Sequence, residues 1–95
     1  MLSKLDNRTV QSSAGFLVTV PERNKICYHE KGRKLSVEIE AGFDERGELD
    51  WAIYSETIKW APPHDLEPIA AEDKSRILAN ISRSLDVLEM KHKVF

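Results

Sequence analysis

Leu35, Val37 and Ile39 alternate strictly with Ser36, Glu38 and Glu40. A period of two is the spacing of side chains along a β-strand, so this run sends its aliphatic side into a core and its polar, acidic side away from it. A slip of one residue would bury the glutamates, which fixes the register of any partner strand. The preceding Glu30-Lys31-Gly32-Arg33 supplies, at Gly32, the positive φ that a tight hairpin demands. Lys25–Glu30 therefore returns antiparallel to Arg33–Glu40.

The same grammar extends on both sides. Phe16–Val20 is rich in β-branched and aromatic residues and is followed by the turn Pro21-Glu22-Arg23-Asn24. Phe43–Leu49 holds a second turn at Gly47, after which Asp50–Ser55 and Ile58–Trp60 read as strand. Pro62 and Pro63 end any ladder, because proline carries no backbone donor. Beyond them, Ile77, Leu78, Ile81, Leu85 and Leu88 fall at the spacing of one helical face, predicting a helix over 71–90. Glu72 and Asp73 in its first turn, and Lys91 to Lys93 after its last, suit the helix dipole. The expected fold is α+β: an antiparallel β-meander of about four or five strands over residues 15–60, packed against one C-terminal helix. Residues 1–14, polar with scattered apolar side chains, read as a flexible lead-in, and Val94 and Phe95 either pair briefly with the sheet or fray. Gly32, Trp60, Pro62, Ile77 and Ile81 are the residues expected to carry structure. With 95 residues, 41% of them hydrophobic and 32% charged, one core and a single domain over 1–95 are expected.

Phosphate-cradling glycine loops, paired CxxC motifs, HExxH and GxSxG are absent, and the glycines sit where turns require them. His29, His64 and His92 fall on a strand, in a proline-rich loop and past the helix, a spacing that pairs no two on a metal. Cys27 reads as a small buried hydrophobe on an apolar strand, pointing into the core. No catalytic residue, metal site or cofactor is expected. No apolar run is long enough for a membrane helix, and Met1–Ser13 lacks the pattern of a secretion signal, so the expected compartment is the cytoplasm, without membrane association.

Charge is the informative property. The net charge is −2, yet residues 38–72 hold ten acidic side chains against two basic ones. Such a segment repels phosphate backbones and attracts basic proteins, which argues against nucleic acid and for a basic protein partner. Glu38, Glu40, Asp44, Glu45, Glu48 and Asp50 are the candidate binding set, with Tyr54 beside them. Trp51 and Tyr54 differ in parity along their strand, so one ring faces inward and the other lies near the carboxylates. Two alternatives stand beside partner binding. One is a small ligand-binding or enzymatic domain using His29 and His64 with carboxylates in a pocket between sheet and helix. The other is a self-associating structural subunit, a homodimer joined by a flat apolar sheet face.

One ordered set of features resembles a known family. It comprises the tyrosine strand ending in the Glu-x-Gly-Arg turn (Tyr28 to Arg33), the strand with Glu38 and Glu40, Ala52-Ile53-Tyr54, Ile58-Lys59-Trp60-Ala61-Pro62-Pro63-His64-Asp65, and Ile77-Leu78-Ala79-Asn80-Ile81. Together they resemble the immunity protein 74 family, predicted antidotes encoded beside bacterial polymorphic toxins. The resemblance covers about residues 24 to 90. It implies an α+β protein that binds and neutralises a cognate toxin delivered by contact between bacteria, with no catalytic residues to carry over. Two positions depart from ideal helix ends: Ala70 or Ala71 stands in place of a Ser/Thr cap, and Met90-Lys91 in place of a terminal glycine.

Overall fold

Turn chemistry organises the chain. At Lys31-Gly32 both residues have positive φ, 50° and 76°, the two-residue turn whose twist matches that of the strands it joins. In a computed structural model describing residues 1–95, the strands follow one another across a single sheet in sequence order. They are β1 (Leu2–Asp6), β2 (Thr9–Ser12), β3 (Phe16–Glu22), β4 (Lys25–Glu30), β5 (Arg33–Phe43) and β6 (Leu49–Trp60), followed by helix α1 (Ala71–Val87) and β7 (His92–Val94). Neighbours from β1 to β6 are antiparallel. β7 lies parallel to β6, as the crossover through α1 permits.

The α+β class holds, but the sheet has seven strands rather than four or five. Two of the additional strands come from the segment read as a flexible lead-in. There β1 and β2 form a hairpin with Lys4 opposite Val10, and Val10 is fully buried. With one deeply buried apolar residue in nine, this hairpin shows almost no alternation. The seventh strand is too short to show a period at all.

Fifteen apolar side chains make one core, drawn from the inner face of the sheet, from Ile77, Ile81 and Leu85 of the helix, and from Leu88 at its C-cap. The helix touches β1 at one edge of the sheet, and the Ser82 hydroxyl lies 2.6 Å from Nε2 of His92 at the other. Both edges therefore bend toward the same helix. The buried helical stripe also includes Asn80 and Ser84, while Leu78 is only half-buried.

A polar network joins the two layers. The Tyr28 ring is fully buried; its hydroxyl donates to Glu30 Oε1 and accepts from Asn80 Nδ2, both at 3.0 Å. Arg83 donates to Asn80 Oδ1 at 2.9 Å, and the Arg76 guanidinium forks onto both oxygens of Glu30. That fork, with the Tyr28 bond, holds the Glu30 carboxyl below its ordinary range against the opposing effect of burial.

Cys27 does not enter the core. Ile26 and Tyr28 take the inner positions of β4, and alternation then turns Cys27 and His29 outward, half-buried. The larger apolar side chains gain more from burial, and they decide which face is inside. At the exit of the sheet Trp60 is buried, with the Arg33 guanidinium 5.4 Å above its ring. Arg33 also pairs with Glu67 at 3.2 Å, and His64 with the same carboxylate, which fastens the loop that carries Pro62.

Candidate partner-binding face

β5 and β6 are the longest strands, and their register decides what stands on the outer side of the sheet. Glu38 lies opposite Tyr54, Glu40 opposite Ala52, and Gly42 opposite Asp50. Directly opposed residues share a face, so these form one outward row, while Ile39 and Ile53 oppose each other in the core. Glu38, Glu40 and Tyr54 are exposed, Trp51 takes the inner parity, and Glu45 and Glu48 stand exposed on the adjoining turn.

Beyond Tyr54 the ladder slips. Ser36 pairs with Lys59, so β6 carries three more residues than β5 across this stretch. The Thr57 hydroxyl donates to the Tyr54 carbonyl at 2.7 Å and accepts the Glu38 N–H at 2.8 Å. This bulge fixes the backbone on which Glu38 and Tyr54 meet, and it leaves Glu56 exposed at its crest.

The acidic set divides into two chemical groups. Asp44 Oδ1 accepts the backbone N–H groups of Arg46 (2.8 Å) and Glu48 (2.9 Å), closing the turn, while its Oδ2 takes the Lys91 ammonium. Lys91, followed by the turn amides, pulls the Asp44 carboxyl below its usual range, and Asp44 in return holds the Lys91 ammonium above its own. Asp50 lies 3.5 Å from the Lys93 ammonium. Both aspartate side chains are only 10% exposed, whereas Glu38, Glu40, Glu45 and Glu48 have no basic side chain within ion-pair distance. Asp50 Oδ1 is buried and accepts no hydrogen bond. Phe95 completes the row, its ring centre 6.3 Å from that of Tyr54. Sequence reasoning placed the carboxylates but not Lys91, Lys93 and Phe95; their alternation at 91, 93 and 95 was the available signal.

The histidines are dispersed. His29 lines a shallow cleft of about 410 Å³ with Phe16, Leu17 and Lys34, and His64 is not part of it. Burial, and then Lys34, push the His29 imidazole below its ordinary range. His92 serves a joint, its Nδ1 donating to the Met90 carbonyl at 2.8 Å and its Nε2 meeting Ser82. No helix is long and apolar enough to cross a membrane. A family model described as Immunity protein 74 matches residues 17–94, from β3 into β7. Neither a curated protein nor a solved structure matches the chain.

Proposed function

Because the chain belongs to the Immunity protein 74 family, we propose that it is a non-enzymatic antidote that binds a cognate toxin, covers the toxin's functional surface, and acts in the cytoplasm. The contact face is the outer side of β5 and β6. One observation carries this reading: Glu38, Glu40 and Tyr54 share a solvent-facing row in fixed register, with Glu45 and Glu48 on the turn that continues it. Carboxylates held on a two-stranded platform attract a basic surface and raise the rate of encounter, and an exposed tyrosine supplies an amphipathic anchor. Against a toxin with a basic, phosphate-binding surface, these carboxylates take the place of phosphates. The histidine-pocket alternative has less support, because His64 does not line the cleft that holds His29.

The test is capture of the product of the neighbouring reading frame, growth rescue on co-expression, and affinity measured across a salt series. The double variant Glu38→Lys/Glu40→Lys is expected to lose at least about tenfold in affinity, mainly through the association rate, and to flatten the salt dependence. Undiminished affinity in a charge-reversed protein with an unchanged circular dichroism spectrum would move the contact face elsewhere.

A further inference from the structure

The segment 91–95, with β7 at its centre, lies on β6 by backbone pairing, by the Ser55 hydroxyl donating to the Phe95 carbonyl, and by three contacts between side chains. Trp51 N–H donates to the Lys91 carbonyl (2.8 Å), Phe95 N–H to the Ile53 carbonyl (2.8 Å), and Ser55 N–H to the Phe95 carbonyl (2.9 Å). Lys91 meets Asp44, Lys93 meets Asp50, and Phe95 meets Tyr54. The contacts are unequal in quality. Lys93 is 67% exposed and reaches one oxygen of Asp50 at 3.5 Å, leaving Oδ1 buried and unpaired in a side chain nine-tenths removed from solvent. A lysine is a point charge and satisfies one oxygen; the planar fork of an arginine satisfies two.

We infer that the edge of β6, with Asp50 and Tyr54 along it and Asp44 on the turn before it, is an acceptor for an extended basic segment of the partner, with an arginine facing Asp50 and an aromatic residue two positions later, and that β7 occupies this acceptor in the free protein. The inference rests on the toxin-binding reading for the identity of the partner, and on the geometry alone for the chemistry of the segment. Strand addition supplies affinity through the main chain, and the alternating side chains supply selection. The partner's segment replaces β7 because it fills the acceptor oxygen that Lys93 leaves empty.

The experiment uses no toxin, so its outcome is separate from that of the capture assay. The probe is a fluorescent peptide of residues 90–95 carrying Lys93→Arg, titrated into the full chain and into its Lys91→Glu/Lys93→Glu variant, whose own strand is repelled from the aspartates. The variant is expected to bind the peptide at least about tenfold more tightly than the parent, because the parent's acceptor is open only a fraction of the time. The unsubstituted peptide should bind more weakly than the arginine peptide, and one with both basic positions replaced by glutamine weaker still. A second readout covers a variant that misfolds: in the parent, amide exchange at Trp51 and Ser55, which donate to the carbonyls of Lys91 and Phe95 on either side of β7, should run ahead of exchange at Ala52 and Tyr54, which face β5. Equal peptide affinity for parent and variant, binding indifferent to the basic residues, or core-like protection at Trp51 and Ser55 would each overturn the inference.

Discussion

Tyr28 shows how much one side chain decides. Its ring fills the core beside Phe16, with centroids 5.5 Å apart, while its hydroxyl is the only link that reaches both Glu30 of the sheet and Asn80 of the helix. Burial pushes the phenol's pKa up, so it stays a neutral donor throughout the physiological range. Tyr28→Phe keeps the ring but leaves the buried Asn80 amide short of an acceptor, and should cost about 1–3 kcal/mol, measured by urea unfolding. The inward direction of Tyr28 was legible only once Ile26 and Tyr28 were seen to outweigh Cys27 on the same strand. The partnership with Asn80, 52 residues away, was not legible, because hydrogen bonds across layers leave no periodic trace. The same reason hid the lysines that neutralise Asp44 and Asp50, so that a candidate set of six carboxylates reduced to four without a basic partner.

Helix α1 was the most legible element, since Ile77, Ile81, Leu85 and Leu88 repeat at the helical period and all are buried. Its regular part stops at Val87 rather than at residue 90. The chain closes it with Met90 N–H donating to the Leu85 carbonyl (2.9 Å) and Glu89 N–H to the Asp86 carbonyl (3.0 Å), around Glu89 at φ 59°. That is the conformation glycine takes at helix ends, here held by a residue with a Cβ. Glu89→Gly should therefore stabilise the fold by roughly 0.5–1 kcal/mol, about 2–8 °C in thermal midpoint. A fall in midpoint would mean that the Glu89 side chain makes a contribution larger than its backbone cost. The hairpin β1–β2 was the least legible element. Its place in the sheet depends on the buried Val10 and on the Thr9–Thr19 hydroxyl contact of 3.2 Å to β3, and two β-branched residues among nine are too few to mark a pair of strands.

At the scale of the molecule, acid sensitivity follows from the carboxylates that folding has partnered. Arg76 holds Glu30, and Lys91 holds Asp44, below their ordinary ranges. A group whose folded pKa is depressed contributes stability that is fully present above its unfolded value and is lost as pH falls through the folded one. The thermal midpoint should accordingly begin a shallow decline as pH falls through the ordinary histidine range, where the unfolded chain protonates His29 before the folded one does, and decline more steeply below the ordinary carboxylate range. Glu30→Gln should lower the midpoint at pH 7 and reduce the decline between pH 5 and 3; an unchanged acid limb would show that Glu30 does not carry it.

The sequence-ordered sheet also has a kinetic meaning. From β1 to β6 each strand lies against its immediate predecessor, so every pairing closes a short loop and costs little chain entropy. Such a meander can zip in the order of synthesis, leaving only the helix and β7 to arrive from far along the chain, which places it toward the fast end for a sheet-rich protein. If the chain acts as the proposed antidote, speed of maturation is then written into the order of its strands.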